Sequence, residues 1–242
     1  GVTVSALRTT PEQFAQRADF PLEPSPFCKA AFVVHQPDFK PGRHPYHHAG
    51  VFYSQEPSAS SAAPLLGVQP GMRVLDLCAG SGCLGLAIAS QVKDARVVLG
   101  ELSDGALRIC RQNIRRNGLT GRVTAMQLDA LHPPLQRLGD FDCIVSNPPY
   151  IPTGDLPGLD PSVRDYEPHM ALDGGADGLD FYRAVTQKWK SALRLGGSLI
   201  FEVGIGQAPS VEDILARNGF EGIQTTADTQ GIWRVVEGTV NR

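Results

Sequence analysis

The chain has 242 residues, of which 42% are apolar and 19% charged, and its formal net charge at pH 7 is -3. These proportions exclude a disordered or fibrous protein, and the length suits one sizeable α/β domain with an additional element. The slightly acidic balance excludes a bulk polyanion binder, so any nucleic-acid contact would need a local basic patch.

The cysteines and the hydropathy pattern narrow the class of protein further. Five cysteines without Cys-x-x-Cys spacing exclude a disulfide framework, and we predict no metal site. No run approaches the about 18 apolar residues that a membrane span requires, and the first residues lack the pattern of a signal peptide. We therefore expect a cytoplasmic protein without a membrane partner.

The predicted elements fall into two parts, with a boundary near Gln69-Pro70-Gly71. Residues 1–70 contain much of the proline and few stretches of helical periodicity, which predicts a small N-terminal extension. Residues 71–242 alternate short β-branched runs with amphipathic runs, which is typical of an α/β domain.

The second part predicts a Rossmann-like, seven-stranded and mostly parallel sheet. Five apolar runs predict strands, and their alternation with four amphipathic segments favours right-handed crossovers. Two further runs around a turn-rich segment predict a C-terminal antiparallel hairpin. The predicted strands are Arg73–Leu77, Arg96–Gly100, Arg122–Met126, Phe141–Val145 and Ser198–Val203, the helices Leu84–Val92, Asp104–Asn117, Leu179–Leu195 and Ser210–Asn218, and the hairpin strands Gly222–Thr226 and Trp233–Val236.

The first predicted strand ends in a glycine-rich turn, Asp76-Leu-Cys-Ala-Gly-Ser-Gly-Cys-Leu-Gly85. Glycines permit a tight turn and a close approach of the backbone to a ligand, and the following helix directs its first N–H groups to the same place. By itself Gly-x-Gly-x-x-Gly fits both a nicotinamide dinucleotide and S-adenosyl-L-methionine. Asp76 favours the second, because a carboxylate here would repel a pyrophosphate and suit the cationic methionine half.

Acidic residues follow the next two predicted strands. Glu101 can bind the two ribose hydroxyls of that cofactor and Asp129 can reach its adenine edge, because α/β sheets bind ligands at the carboxyl ends of their strands. The alternative interpretation is that both are solvated loop carboxylates. The complete predicted cofactor site consists of Asp76, Cys78, Gly80, Gly82, Glu101, Leu102, Asp129, Ala130 and Asn147, with Tyr53 and Gln55 from the N-terminal part.

The fourth predicted strand continues into Asn147-Pro148-Pro149-Tyr150. Two consecutive prolines hold φ near about −65° and so fix the directions of the backbone carbonyls. Methyl transfer to a planar nitrogen needs that nitrogen oriented by acceptors, and Asn147 Oδ1 and the Pro148 carbonyl can supply two of them. Tyr150 can stack on the planar group, which makes Asn147, Pro148 and Tyr150 the predicted catalytic residues. The alternative is a rigid loop that merely terminates the strand.

These motifs make the chain, from about Leu75 to Val240, similar to the release-factor glutamine N5-methyltransferase family. The likeness includes the glycine-rich turn, the Asn-Pro-Pro-Tyr-Ile run, and Val163–Pro168 followed by Ala171–Gly175. It implies a class I methyltransferase that uses S-adenosyl-L-methionine, leaves S-adenosylhomocysteine, and modifies the Gly-Gly-Gln loop of a peptide-chain release factor. It further implies that Asn147 and Tyr150 bind the substrate amide and that Glu167-Pro168 helps to form the substrate wall.

The N-terminal third differs from that family, whose members carry a five-helix recognition bundle there. Pro21–Cys28 and His44–Ser58 instead resemble the RNA cytosine-C5 methyltransferase family, as do residues 68–79. The likeness ends at residues 80–83, which read Gly-Ser-Gly-Cys where that family has Ala-Pro-Gly-Gly-Lys. We interpret the chain as a composite with its seam in Leu75–Ala79, and the N-terminal segment makes RNA a second expected partner.

Two alternatives to an amide methyltransferase stay open at this point. One is an RNA base methyltransferase guided by the N-terminal segment, and the other is a module that binds cofactor or RNA without turnover. A cytosine-C5 reaction would need a cysteine nucleophile where the chain has Asn147-Pro148. We expect Cys78, Cys83 and Cys143 to be small core residues rather than nucleophiles.

Overall fold

A computed structural model describes residues 2–4, 9–24, 31–36, 38–39, 44–48, 52–54, 67–135, 138–228 and 231–241. These residues divide into two compact units, one within Gly1–Gly67 and Asp228–Gly231 and the other within Val68–Ala227 and Ile232–Arg242. Each unit has its own sheet. Within the described ranges, every helix is too short or too polar to cross a membrane.

The smaller unit is a four-stranded antiparallel sheet in the order β2-β3-β1-β4, with two short helices. Helix α1 begins at a capping box, in which Thr10 Oγ1 accepts from the Gln13 N–H and the Gln13 side chain accepts from the Thr10 N–H. Strands of three or four residues are too short to show a period, so the sequence predicted none of them. The elements are β1 Val2–Val4, α1 Pro11–Arg17, β2 Leu22–Pro24, β3 Ala31–Val34, α2 Pro45–His48 and β4 Phe52–Ser54.

The larger unit alternates strands and helices before ending in an antiparallel hairpin. Short 3-10 turns at Thr153–Gly158, His169–Ala171 and Lys190–Ala192 connect its later elements. The regular elements are β5 Arg73–Leu77, α3 Cys83–Gln91, β6 Arg96–Glu101, α4 Asp104–Arg116, β7 Val123–Gln127, β8 Phe141–Ser146, α5 Pro161–Arg164, α6 Asp180–Lys188, β9 Leu193–Glu202, α7 Ala208–Arg217, β10 Phe220–Ala227 and β11 Trp233–Val240.

The sheet of the larger unit has seven strands in the order β10-β11-β9-β8-β5-β6-β7. Strands β5 to β9 pair in parallel, and β11 runs antiparallel to both β9 and β10. The predicted fold class, a seven-stranded and mostly parallel sheet with a C-terminal antiparallel hairpin, is therefore confirmed. Every residue of β8 is buried, as expected of a strand covered on both faces.

One predicted helix is wrong at its C-terminal end. The predicted helix Leu179–Leu195 stops at Lys188, a 3-10 turn follows, and Leu193 already pairs with Phe141 in the sheet. The buried residues Val185, Trp189 and Leu193 recur at helical spacing, so the hydrophobic period did not show that the helix ends before Leu193. The helix gives way to a strand because the chain pairs with β8 from Leu193 onward. Gly197 permits this pairing, since a Cβ there would crowd the Phe141 and Asp142 carbonyls.

Asp76 joins the first strand of this sheet to the first helix. Its carboxylate is 2% exposed, and Oδ2 accepts from the Gly85 N–H at 2.8 Å. Gly85 lies so close to the sheet that a Cβ there would collide with Leu99 and lie 2.9 Å from Val97 Cγ1. Burial and, to a smaller extent, the negative charge of Glu101 raise the pKa of Asp76 to about 7, although the hydrogen bond from the Gly85 N–H acts in the opposite direction.

We expect Gly85→Ala to destabilise the larger unit. Helix propensity alone would favour alanine by about 1 kcal/mol, but overpacking typically costs about 1–3 kcal/mol, so a net loss of up to about 2 kcal/mol should remain. Gly121→Ala is the matched control, since a Cβ at Gly121 meets nothing within 4 Å. Urea unfolding of both variants measures the effect, and equal stability of the two would contradict the close packing described here.

We expect Asp76→Asn to change the pH dependence of stability. The folded-state pKa of about 7 lies above the unfolded value, so the parent is most stable with Asp76 protonated and loses stability as pH rises through 7. The rise in the pKa of Asp76 from 3.8 to about 7 corresponds to a loss of roughly 4 kcal/mol in the free energy of unfolding once Asp76 is ionised in both the folded and the unfolded state. The variant's stability minus the parent's should grow from pH 4 to 8 in urea unfolding. The exposed Asp140→Asn is the control, and a difference that is flat with pH would refute the assignment.

Candidate active site

The glycine-rich turn between β5 and α3 is held in an uncommon backbone conformation. Cys78 has φ of +62° although it is not glycine, a conformation that costs about 1–2 kcal/mol. The turn is closed by the Ala79 N–H, which donates to the Gly100 carbonyl at 3.0 Å, and by the Gly82 N–H, which donates to the Ala79 carbonyl at 2.7 Å. Such a turn directs backbone groups toward the carboxyl edge of the sheet.

Three side chains from the next β-α unit fix this turn. Glu101 Oε2 accepts from the Gly80 N–H at 2.8 Å, while Oε1 accepts from the Ser103 N–H at 2.8 Å. From α4, the Cys110 thiol donates to the Gly80 carbonyl at 3.1 Å and Asn113 Nδ2 donates to the Ser81 carbonyl at 3.0 Å. Sequence reasoning missed Cys110 and Asn113. Their signal is a spacing of three residues, which places both on one face of the helix.

A cavity of about 380 Å³ opens beside the turn, at the carboxyl ends of β5 to β8. Leu128 and Leu131 follow β7, Ile109 comes from α4 and Phe181 from α6, so the walls are largely apolar. Its volume is in the range of small-molecule sites. Seven residues of the predicted cofactor site line it together: Cys78, Gly80, Glu101, Leu102, Asp129, Ala130 and Asn147.

Asp129 and Ala130 are placed at this cavity by contacts outside it. Asp129 Oδ1 accepts from the Leu131 N–H at 2.9 Å, and Oδ2 lies 2.8 Å from His132 Nδ1. The Ala130 carbonyl accepts from Trp189 Nε1 at 3.0 Å, and Trp189 is 1% exposed. The loop after β7 is thus anchored to the core by the tryptophan that ends α6.

Two residues of the predicted cofactor site, Asp76 and Gly82, are not among the cavity's lining residues. Asp76 is enclosed beneath the turn and bonded to Gly85, so its observed role is to hold the turn on the sheet. Gly82 immediately precedes α3, where a Cβ would lie 2.7 Å from Leu99 Cδ1. For Tyr53 the structure describes the backbone, which pairs with Thr3 in the smaller unit, and Gln55 lies outside the described residues.

The predicted catalytic loop continues from β8 into the same region. Asn147 is exposed and lines the cavity together with Pro149. Pro148 is buried and Tyr150 is half-buried, and neither is a lining residue. Ser146 Oγ donates to the Leu77 carbonyl at 2.7 Å, which ties the root of this loop to the root of the glycine-rich turn.

The segment 172–178 packs directly on the backbone of this loop. The Ile151 N–H donates to the Leu172 carbonyl at 3.0 Å, and the Gly174 N–H donates to the Ile151 carbonyl at 2.8 Å. A Cβ at Gly174 would lie 2.7 Å from Tyr150 Cα, and one at Gly178 would collide with the Tyr150 carbonyl. Gly174 and Gly178 of the Ala-Leu-Asp-Gly-Gly-Ala-Asp-Gly run are therefore needed for close backbone packing against the loop.

The cysteines differ from one another in exposure. Cys143 is buried in β8, as predicted, and burial raises the pKa of its thiol. Burial raises the pKa of Cys78 to about 12, so this thiol at the cavity is protonated at neutral pH. The prediction was wrong for Cys83, which is exposed in the first turn of α3 with its sulfur 2.9 Å from Ser81 Oγ.

Comparisons with known proteins match both parts of the chain. Residues 44–155 match the methyltransferase small domain family, and residues 1–57 match the N-terminal domain of 16S rRNA methyltransferase RsmF. A release factor glutamine methyltransferase of Geobacter sulfurreducens is 48% identical over 169 residues, which are 69% of this chain and 57% of that protein. Another, of Clostridium acetobutylicum, is 43% identical over 164 residues, 68% of this chain and 58% of that protein.

The chain spans somewhat more than half the length of these curated relatives, at 57% and 58%. Among solved structures, a methyltransferase homologue from Pyrococcus horikoshii is similar with a TM-score of 0.70 and 18% identity, covering 99% of this chain and 86% of that one. At this identity the likeness establishes the fold alone. The predicted resemblance to two families is confirmed, and the larger unit is a class I methyltransferase domain homologous to part of the release factor glutamine methyltransferases.

Proposed function

We propose that this protein transfers a methyl group from S-adenosyl-L-methionine to the side-chain amide nitrogen of a glutamine in the Gly-Gly-Gln loop of a peptide-chain release factor. The observation that carries this proposal is that Asn147 lines the same cavity as Glu101 and Asp129. A side-chain amide that can accept a hydrogen bond thus shares a cavity with two carboxylates suited to an adenosine. The homology to release factor glutamine methyltransferases supports the choice of substrate, and that substrate would place the reaction in the cytoplasm.

The residues at the cavity fit this cofactor. An added Cβ at Gly80 would meet nothing within 4 Å, so the turn faces open space where a ligand can approach the backbone. Glu101 keeps further lone pairs for ribose hydroxyls, because each oxygen accepts one backbone hydrogen bond and a carboxylate oxygen has room for a second. Asp129 can accept from an adenine amino group, and Leu128 and Leu131 supply apolar walls for the ring.

The bound cofactor supplies an electrophilic methyl group on a sulfonium, and the protein's own task is to orient the acceptor nitrogen. Asn147 Oδ1 and the Pro148 carbonyl would accept from the two N–H groups of the glutamine amide, directing the nitrogen lone pair at the methyl carbon. Once the nitrogen has accepted the methyl group, one of its N–H protons would become acidic. Asn147 holds that proton in a hydrogen bond, and because Asn147 is exposed the proton can leave to water.

We expect Glu101→Ala to weaken binding of S-adenosyl-L-methionine about tenfold or more. The variant loses charge-assisted contacts worth about 1.5–3 kcal/mol and also frees the Gly80 N–H that shapes the turn. Glu101→Gln keeps an acceptor without the charge and should fall between parent and alanine variant. Calorimetry measures the affinities, with the exposed Glu221→Ala as control. Unchanged affinity in Glu101→Ala, or tighter binding of NAD by the parent, would overturn the cofactor assignment.

We expect Asn147→Ala to slow methyl transfer while leaving cofactor affinity nearly unchanged. Losing one of two aligned acceptors should cost about 2–4 kcal/mol in the transfer step, or about 30- to 1,000-fold. Asn147→Asp should also be slow, because it adds a negative charge and lacks the amide donors. Single-turnover transfer measures the effect, with Asn241→Ala as control. Transfer by Asn147→Ala within about twofold of the parent would show that the loop is structural.

The match of residues 1–57 to the RsmF N-terminal domain favours one other candidate, a methyltransferase acting on an RNA base. The loop after β8 has Asn147 where a cytosine-C5 enzyme needs a thiol, so a covalent enzyme–RNA adduct is not expected. Incubation with labelled S-adenosyl-L-methionine and either release factor or RNA separates the candidates. Label on RNA alone, or covalent trapping by 5-fluorocytosine RNA, would favour RNA, and binding without transfer to either would indicate a module without turnover.

A further inference from the structure

The side chain of Gln207 connects three segments around the predicted catalytic loop. Gln207 lies between β9 and α7, immediately before the helix begins. Its Nε2 donates to the Tyr150 carbonyl at 2.9 Å and to the Gly178 carbonyl at 3.3 Å. One amide group thus holds the backbone of the catalytic loop and the backbone of the glycine segment that packs on it.

The oxygen of the same amide accepts a hydrogen bond from Gly204, whose backbone packs against the Tyr150 ring. Gln207 Oε1 accepts from the Gly204 N–H at 3.0 Å and lies 3.4 Å from the Tyr182 hydroxyl, whose shorter hydrogen bond goes to the Glu202 carbonyl at 3.1 Å. A Cβ at Gly204 would lie 3.0 Å from Tyr150 Cδ2 and 2.6 Å from Gln207 Oε1. The Tyr150 ring therefore packs against the bare backbone of Gly204, and Gln207 determines where that backbone lies.

We propose that Gln207 is a positioning residue for methyl transfer, fixing both the carbonyl direction and the ring of Tyr150 through one amide. The proposal rests on the function proposed above, in which the loop from Asn147 to Tyr150 orients the substrate amide. An amide suits this place because it donates and accepts at once, which neither a carboxylate nor an apolar side chain can do. An ionised carboxylate would present a negative charge to the Tyr150 and Gly178 carbonyls.

The decisive variant is Gln207→Glu, which keeps the acceptor and loses the donor. At pH 8 its kcat on release factor should fall at least tenfold, with KM and cofactor affinity within about twofold of the parent, because the loop is misaligned rather than absent. Partial burial beside two carbonyl oxygens should raise the pKa of the introduced carboxyl group above its usual value, so a larger fraction is protonated and donates one O–H at pH 5.5 than at pH 8, and the variant-to-parent ratio of kcat should rise severalfold. Gln207→Met should have a low kcat at both pH values, because methionine cannot donate a hydrogen bond. The exposed Gln187→Glu is the matched control and should keep the kcat of the parent.

Hydrogen exchange of the Ile151 and Gly174 amides provides a readout that needs no substrate. Their protection factors should fall in Gln207→Glu at pH 8 and recover at pH 5.5, while those of β5 and β8 stay parental. A parent that does not methylate release factor would refute the proposed function, and exchange would then decide the positioning role alone. Four results would each overturn the role of Gln207. They are parental kcat in both Gln207 variants, a rise in KM with no change in kcat, a lowered kcat of Gln207→Glu that does not recover at pH 5.5, and unchanged protection of the two amides.

Discussion

The site depends on the parallel pairing of β5 with β8, which makes two loops leave the sheet side by side. Asp76 lies opposite Val145 and Leu77 opposite Ser146, so both strands end at the same level. Ser146 Oγ then donates to the Leu77 carbonyl, joining the strands where the loops begin. Because parallel strands share one carboxyl edge, this register brings residues 78–82 and 147–150 to one place although about 70 residues separate them in sequence.

Close backbone packing gives these loops their shape. Glycines at 174, 178 and 204 lie where any side chain would displace Tyr150 or its neighbours. Gly85 performs the same role between α3 and the sheet, and Cys78 adopts a conformation that a non-glycine residue rarely takes. Backbone contacts and the half-buried side-chain amides of Asn113 and Gln207 hold these loops in place, which would reduce the reorganisation that an oriented transfer needs.

Three carboxyl groups lie at or beneath the cavity, and they differ in how far a ligand can reach them. Asp76 is enclosed and holds a proton up to about pH 7, whereas Glu101 and Asp129 line the cavity, where a ligand can reach them. A negative wall disfavours a pyrophosphate and favours hydroxyl, amino and cationic groups. The glycine-rich motif alone fits both a nicotinamide dinucleotide and S-adenosyl-L-methionine, so the positions of the carboxylates are what favours the second. The smaller unit, which includes the RsmF-like segment, has a separate sheet with its own core of Val2, Val4, Phe14, Phe20 and Phe32.

The sequence by itself determined the fold class and the position of most strands, and it predicted seven residues that the structure brings together at one cavity, because buried parallel strands and glycine-rich turns have strong local signals. Only the tertiary structure decided that α6 ends at Lys188. The hydrophobic period after that residue is compatible with helix or strand, and the pairing of Leu193 with Phe141 makes it a strand. The tertiary structure also decided the roles of Asp76, Cys110, Asn113 and Gln207. These side chains act through bonds to distant backbone groups, and no local pattern encodes which carbonyl or N–H lies opposite a given side chain.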